Sequence, residues 1–225
     1  ISACLVGSEM CIRDSFLGVA IIGNKPVHCF IPNPGRLREL IHPGAKVYLM
    51  GKSSVSRKTP YDLAVVEKGG TLVSIDSRVP NRVVAEAIEA GLIPELGGLS
   101  IMKRELVFSD SRLDFLLGRG PDRMLLEVKS CTLVEDGTGL FPDAPTSRGR
   151  RHLRALMSGL AHGRAAVLFL IQRPDAVCLR PNDATDPEFG RSLREAIHMG
   201  IEVFAYSSEV TLEGVFIKRG VPVLT

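Results

Sequence analysis

The stretch SRLDFLLGRGPDRMLLEVKS, Ser111–Ser130, constrains this chain most. It predicts a β-hairpin made of two apolar runs and the turn between them: Arg112–Leu117, Gly118–Asp122 and Arg123–Val128. Asp114 and Glu127 each interrupt an apolar run, and Lys129 follows Glu127 by two residues. Residues two apart in a strand share a face, so Glu127 and Lys129 project together. Pairing across the turn brings Asp114 beside Glu127.

Two carboxylates and a lysine at one place have a chemical use. Hard oxygen ligands suit Mg²⁺ or Mn²⁺, and such an ion polarises a phosphodiester and activates bound water. In this interpretation Asp114, Glu127 and Lys129 are catalytic, and the lysine stabilises the developing charge. A surface ion pair worth about 0–1 kcal/mol is the alternative, and the residues alone leave both open.

Composition excludes several classes of protein. The 225 residues are 45% hydrophobic and 24% charged, as in a globular protein, and the net charge of +3 is only mildly basic. Five cysteines without a CxxC pair favour a reducing cytoplasm over a disulfide framework. No apolar run reaches the ~18 residues of a membrane span. Zinc, P-loop and Rossmann patterns are missing.

The N-terminal third predicts a small β-barrel. Residues 1–15 lack a clear period and are set aside as a doubtful, non-native or fragment-edge segment, with a short buried strand at Ala3–Val6 as the alternative. Five short apolar runs follow, separated by turn signals: Phe16–Ile22, Pro26–Phe30, Lys46–Met50, Tyr61–Glu67 and Gly70–Asp76. A brief helix is predicted at Leu37–Ile41. The pattern predicts a Greek-key barrel of the OB type over residues 16–78, or an irregular extension of the second sheet.

Residues 79–225 alternate helical and strand patterns. The predicted elements are a helix from Pro80 to Gly91, strands Ser100–Phe108, Arg164–Ile171 and Glu202–Tyr206, a helix capped by Thr146 or Ser147, and a helix Asp186–Gly200. Gly137–Pro145 is predicted as a loop, and Thr211–Lys218 with Val221–Leu224 as a closing hairpin. The alternation implies parallel crossovers in an α/β (α+β) mixed sheet flanked by helices.

Two groups of cations are candidates for binding nucleic-acid phosphates. Arg36 and Arg38 follow a Pro-Gly bend, with Lys52, Arg57 and Lys58 nearby in sequence; Arg148, Arg150 and Arg151 open a helix that also carries His152 and Arg154. Solvated loop and helix faces are the alternative for both groups. Gln172 ends the apolar strand, either near the metal site or as an exposed strand end.

Four segments resemble the sugar fermentation stimulation protein A (SfsA) family: FIPNPGRLRELIHPGAKVYL, LDFLL, LLEVKSCTLVEDGTGLFPDAPTSRGRRHLRAL and AAVLFLIQRPDA. The resemblance runs from about Phe16 to Tyr206. It implies an OB-like domain joined to a domain similar to PD-(D/E)xK nucleases, and a DNA-binding protein without clear sequence preference that is linked to sugar (maltose) metabolism. The basic opening strand of the family has no counterpart here before Phe16.

The resemblance also assigns residues. Asp114 matches the first acid of the nuclease motif, Glu127 the second and Lys129 its lysine, while Glu86 matches a helix acid. Asp114 and Glu127, with the main-chain carbonyl of Val128, are the expected ligands of Mg²⁺ or Mn²⁺. Two further hypotheses stay open: an active phosphodiesterase that cuts DNA or RNA, and a regulator that responds to a sugar ligand.

Overall fold

The computed structural model describes residues 1–11, 15–52 and 59–225 of the chain. The first six strands are β1 Ser2–Cys11, β2 Ser15–Ile22, β3 Lys25–Ile31, β4 Lys46–Gly51, β5 Tyr61–Lys68 and β6 Thr71–Ser74. After helix α1 Val79–Glu89 come β7 Ser100–Phe108, β8 Ser111–Arg119, β9 Asp122–Cys131, β10 Val134–Glu135 and β11 Thr138–Phe141. The rest comprises α2 Ser147–Gly159, β12 Arg164–Ile171, β13 Cys178–Pro181, α3 Pro187–His198, β14 Glu202–Val210 and β15 Val215–Gly220.

The first sheet closes into a five-stranded barrel. Its strand order is β3-β2-β1-β4-β5-β6, and a parallel pairing of β3 with β5 joins the two ends of the five-strand ring. The interior is apolar, with Val47, Leu49 and Leu63 at most 3% exposed. Alternation of inward apolar residues along short strands produces this core. The predicted OB-type barrel is confirmed.

The structure bears on two N-terminal predictions. Strand β1 pairs with β2 and β4, and Ala3 and Leu5 are buried, so the alternative of a buried strand at Ala3–Val6 is present, while the doubtful origin of residues 1–15, of which 12–14 lie outside the described residues, stays a prediction. The predicted helix at Leu37–Ile41 is only a turn, in which the main-chain nitrogen of Leu40 donates to the carbonyl of Leu37. Leu37 has a positive φ of 45°, which is incompatible with a helix start at that residue.

The second large sheet is mixed, in the order β15-β14-β12-β9-β8-β7. Its centre is parallel, because β12 pairs with β9 on one side and β14 on the other, joined by crossover helices α2 and α3. Strand β12 is apolar on both faces and buried from Ala165 to Ile171. Helix α1 packs on one face of the sheet, while α2 and α3 cover the other. The predicted mixed sheet flanked by helices is confirmed.

Several smaller elements differ from the predictions. The predicted loop Gly137–Pro145 contains β11, which pairs in parallel with β13, a strand that the sequence patterns did not indicate. The C-terminal hairpin forms between β14 and β15, so the predicted pairing of Thr211–Lys218 with Val221–Leu224 is wrong. Among the described residues no helix is long and apolar enough to span a membrane.

Candidate metal and nucleic-acid site

The hairpin β8–β9 positions the two acids. Its paired register runs from Arg119 with Asp122 to Phe115 with Leu126, and Asp114 and Glu127 are the next residue of each strand. The main-chain nitrogen of Val128, the neighbour of Glu127, donates to the carboxylate of Asp114. Glu127 and Lys129 lie in mid-strand, where β12 flanks them on the other side. The predicted convergence of the three charged residues on one region of the sheet is therefore present.

Asp114 is held by hydrogen bonds from two elements. The main-chain nitrogen of Val128 donates to Oδ2 at 2.8 Å, and Nδ2 of Asn81, in the first turn of α1, donates to Oδ1 at 2.6 Å. Burial, with the negative charge of Glu127 beside it, raises the pKa of Asp114 to about 6 despite these two donors and Lys129. Carboxyl groups with strongly raised pKa values cluster at functional sites, because burial and a neighbouring like charge are arranged there.

Glu127 is only 3% exposed, and its two oxygens differ. Oε1 accepts from Nζ of Lys129 at 2.5 Å and from Nδ1 of His152. Oε2 is buried and has no hydrogen-bond partner within the described part of the chain. Burial alone raises the pKa of Glu127, but the lysine and the histidine outweigh it and hold that pKa below its ordinary value. Glu127 is thus a buried carboxylate with one oxygen unsatisfied.

His152 extends this cluster to the surface. Its Nε2 accepts from Nε of Arg148 at 3.3 Å, which assigns the proton to Nδ1, the nitrogen that faces Glu127. Arg148 and His152 lie four residues apart on α2 and therefore share a helix face. A hydrogen-bonded chain consequently runs from the exposed Arg148 through the buried His152 to Glu127.

Sequence reasoning missed the roles of Asn81 and His152. The sequence patterns place Asn81 only inside the helix predicted from Pro80, and His152 only among the arginines of the following helix. His152 could have been identified from its position four residues after Arg148, on a helix that packs against the sheet containing Glu127. Asn81 offered no comparable signal, because its contact depends on how α1 crosses the sheet.

Comparison with known proteins identifies the family. The model of the sugar fermentation stimulation protein RE domain matches residues 78–214, and that of the SfsA N-terminal OB domain matches residues 16–75. The chain belongs to the SfsA family. A sugar fermentation stimulation protein homolog of Thermoanaerobacter sp. (strain X514) is 48% identical over 195 residues, which are 86% of this chain and 85% of the relative.

Other SfsA relatives extend the similarity. A homolog of Chloroflexus aurantiacus is 42% identical over 221 residues, covering 97% of this chain and 85% of that protein. The structure of Pyrococcus furiosus SfsA in complex with Ca²⁺ matches with a TM-score of 0.90 at 30% identity, covering 100% of this chain and 95% of that one. The two-part architecture is therefore that of the SfsA family.

The donor set of this SfsA chain fits a hard divalent cation. Each oxygen of Asp114 accepts one hydrogen bond and keeps a second lone pair, and Oε2 of Glu127 is unsatisfied. Two coupled carboxylates relieve their repulsion when a cation lies between them. Among the described residues no group of three His, Cys, Asp or Glu side chains forms a metal cluster, so oxygen ligands of another kind, such as water or main-chain carbonyls, would complete the coordination. That the main-chain carbonyl of Val128 is a metal ligand stays a prediction. The structure shows that the main-chain nitrogen of Val128 donates to Asp114.

The two predicted accessory residues have other recorded contacts. Glu86 is 57% exposed at its side chain and pairs with Arg82 on the same helix, and its match to a helix acid of the nuclease motif stays a prediction. Gln172 is fully buried, and the interpretation as an exposed strand end is wrong. Its Oε1 accepts from Ser74 Oγ at 3.0 Å, and its Nε2 donates to Ser130 Oγ at 2.9 Å, next to Lys129 in sequence. Gln172 therefore ties the barrel to the sheet.

The three arginines of α2 have different surroundings. Arg150 pairs with Asp186 at 3.0 Å and with Glu188 at 3.1 Å, and its role as a phosphate ligand stays a prediction. Arg148 is exposed and donates to His152. Arg151 is half-buried, and its Nε lacks a partner among the described residues. Arg148 and Arg151 remain candidates for phosphate contacts.

Arg36 and Arg38 lie on the barrel loop that faces the second domain. Both are exposed, and neither forms an ion pair within residues 1–11, 15–52 and 59–225. They line a cleft between the two domains together with Asp143 and Pro145 of the loop before α2. Lys52 is exposed after β4, while Arg57 and Lys58 lie outside the described residues.

Proposed function

We propose that the protein binds DNA without sequence preference and carries a Mg²⁺ or Mn²⁺ site formed by Asp114 and Glu127. One observation supports this most: two coupled, mostly buried carboxylates, one with an unsatisfied oxygen, beside a buried lysine. Burying such charges is costly unless they have a function. The Ca²⁺ in the Pyrococcus furiosus SfsA structure supports divalent cation binding in the family.

The chain's own residues would prepare the site before any metal binds. The Val128 nitrogen and Asn81 orient Asp114, while Lys129 and His152 occupy Oε1 of Glu127 and leave Oε2 for the ion. When bound, a divalent ion supplies Lewis-acid polarisation of a phosphate oxygen and lowers the pKa of its water. The ammonium of Lys129 lies where it would stabilise negative charge on that phosphate.

DNA would be held through its backbone. Arg36 and Arg38 line a cleft with Asp143 and Pro145 of the loop that leads into α2, and Arg148 and Arg151 lie near the start of that helix. Arginine binds phosphate through two parallel N–H donors, and backbone contacts carry no sequence information. This supports binding that is sequence-independent and sensitive to salt.

The second candidate function is metal-dependent cleavage of DNA or RNA. It is favoured by Lys129, which the structure holds within 2.5 Å of Glu127 rather than exposed to solvent. A binding-only site needs the carboxylates but has no evident use for a buried lysine in contact with them. The proposed link to sugar metabolism, the sugar-ligand alternative and the cytoplasmic location have no structural support of their own and stay predictions.

One experiment separates binding from cleavage. The wild type and the variants Asp114→Asn and Lys129→Met are incubated with plasmid, single-stranded DNA and RNA, with Mn²⁺, Mg²⁺ or EDTA, and DNA binding is followed by fluorescence anisotropy. We expect all three to bind DNA in EDTA, and cleavage, where present, to be lost in both variants. Asp110→Asn is the matched control, since Asp110 is exposed at the turn before β8. Cleavage that persists in Asp114→Asn would remove this site from the mechanism.

A further inference from the structure

His152 contacts an acidic and a basic side chain through different nitrogens of one ring. The residue lies on α2 and is 3% exposed. Its Nδ1 contacts Oε1 of Glu127, and its Nε2 lies 3.3 Å from Nε of Arg148. Imidazole is rigid, and in its neutral form one nitrogen donates a hydrogen bond while the other accepts one. His152 therefore fixes the positions of Glu127 and Arg148 relative to each other.

On the Glu127 side, two donors converge on a single oxygen. Nζ of Lys129 donates to Oε1 at 2.5 Å and lies 3.3 Å from Nδ1 of His152. Oε2 is buried and has no hydrogen-bond partner in the part of the chain that the structure describes. Turning the carboxylate so that its two oxygens changed places would break both hydrogen bonds to Oε1. His152 thus helps to keep Oε2 as the free oxygen.

On the other side, Arg148 is exposed to solvent but attached at one atom. Its Nε is used by His152, and no hydrogen bond or ion pair within residues 1–11, 15–52 and 59–225 involves its Nη1 or Nη2. These two groups form the fork with which arginine binds phosphate. An attached side chain loses less conformational freedom when it binds a ligand than a free one does. The contact with His152 therefore prepares Arg148 for a phosphate.

The helix turn that carries both residues is itself held in place. Oγ1 of Thr146 accepts from the main-chain nitrogen of Gly149 at 2.9 Å, and the main-chain nitrogen of Thr146 donates to Asp186 at 2.8 Å. Groups that must keep a precise geometry are best placed on such rigid elements. The spacing between Arg148 and His152 is consequently set by the helix and not by a mobile loop.

We propose that His152 is a positioning residue for both parts of the site: its Nδ1–H orients Glu127 for the metal ion, and its Nε2 holds Arg148 for a backbone phosphate. This inference rests on the proposed function and adds a division of roles within one side chain. Because the two nitrogens serve different partners, a change at one of them should affect metal binding or DNA binding separately. A histidine that only filled space in the core would affect both together, through stability.

Two amide variants separate the two nitrogens. His152→Asn places its amide near the position of Nδ1 and keeps a donor for Glu127, whereas the longer His152→Gln reaches the position of Nε2 and keeps an acceptor for Arg148. Mn²⁺ binding is measured by titration calorimetry without DNA, and duplex DNA binding by anisotropy in EDTA. We expect His152→Gln to bind Mn²⁺ about 10-fold more weakly and DNA like the wild type. We expect His152→Asn to bind Mn²⁺ like the wild type and DNA about 3-fold more weakly.

A double-mutant cycle tests the contact with Arg148. Arg148→Ala should weaken DNA binding, and adding His152→Asn to it should cause no further loss, because the contact is already absent. Arg154→Ala is the matched control, since Arg154 is an exposed arginine on the same helix. In that background His152→Asn should keep its full effect on DNA binding. Equal effects of His152→Asn in both backgrounds would overturn the role assigned to Nε2.

The wild type provides a measurement that does not depend on the folding of any variant at position 152. Nitrogen NMR of the imidazole rings at pH 8 should show His152 with its proton on Nδ1 and none on Nε2. Arg148→Ala, a change at an exposed residue, should shift the Nε2 resonance. A proton on Nε2 would overturn the proposal, because that nitrogen could not then accept from Arg148.

The binding data also separate this inference from the proposed function. Melting temperatures verify that the variants fold. Equal losses of Mn²⁺ and DNA affinity in His152→Asn and His152→Gln, with a wild type that binds both ligands, would contradict the division of roles alone. A wild type that failed to bind Mn²⁺ or DNA would contradict the proposed function, and the inference with it.

Discussion

The barrel and the mixed sheet bury different kinds of residue. The barrel core cluster is wholly apolar, and the buried Asp62 at its edge pairs with the half-exposed Arg78 at 2.9 Å. The mixed sheet instead buries Glu127, Lys129 and His152 among the apolar residues that face α2. The barrel therefore gains stability from its interior, whereas the sheet gives up stability at one place where Glu127 is buried with Lys129 and His152.

The largest expected effect is in the sheet. Lys129→Met removes the cation that pairs with Glu127 and should lower the free energy of unfolding by about 3–5 kcal/mol, because a buried charge loses its partner. Urea denaturation at neutral pH measures this. Adding Asp114→Asn to the same chain should restore part of the loss, since one of the two repelling charges is removed. Simple additivity of the two changes would mean that the residues do not interact.

Asp114→Asn alone should stabilise the metal-free protein. The folded-state pKa of Asp114 is about 6 against the ordinary 3.8, so the folded protein binds the extra proton and ionisation at higher pH opposes folding. A pKa shift of about two units corresponds to a destabilisation of about 3 kcal/mol. This destabilisation is fully present above about pH 6 and absent below about pH 4. Denaturation of both proteins across this range is the measurement. A variant that is less stable than wild type at about pH 8 would contradict this charge balance.

Metal addition should largely cancel that difference. An ion that binds only the folded state stabilises it by about 2.7 kcal/mol at 100 times its Kd. We expect Mn²⁺ or Mg²⁺ to raise the melting temperature of the wild type and to leave Asp114→Asn unchanged. Asp110→Asn serves as the control and should respond like the wild type. An equal response of all three proteins would place the ion elsewhere.

The barrel should lose less stability than the sheet when a partner of its buried acid is removed. Arg78→Ala removes a partner of Asp62, but that partner is 55% exposed and screened by water. We expect a loss of about 1 kcal/mol or less, as for surface ion pairs. A loss as large as that of Lys129→Met would show that the two regions do not differ in the way described.

The smallest effect concerns binding alone. Arg36→Ala with Arg38→Ala should leave stability unchanged and reduce the slope of log K against log[salt] by about 0.9 for each lost phosphate contact. Anisotropy with duplex DNA at several salt concentrations measures the slope. An unchanged slope would remove both arginines from the DNA interface, while Arg154→Ala provides the exposed-cation comparison.

The sequence predicted those parts of the molecule that local pattern determines. The hairpin of Asp114 and Glu127, the apolar strand Arg164–Ile171 and the barrel strands follow from alternation, apolar runs and turn residues, which act over a few neighbours. Asn81, His152 and Gln172 act across elements far apart in sequence, and no pattern encodes how α1 and α2 cross the sheet. Strand β13 was missed because Arg180 and Pro181 occupy half of its four residues.

Gln172 has a mechanical consequence. Its main chain accepts from Ser74 at 3.0 Å and donates to Cys131 at 2.8 Å, in addition to the two side-chain bonds, so one residue links barrel strand β6 with the end of strand β9. Rotation of the barrel would strain these bonds first, and the strain would pass through them to Ser130 of β9. A nucleic acid that pulled on the barrel would thereby move the strand that carries Lys129.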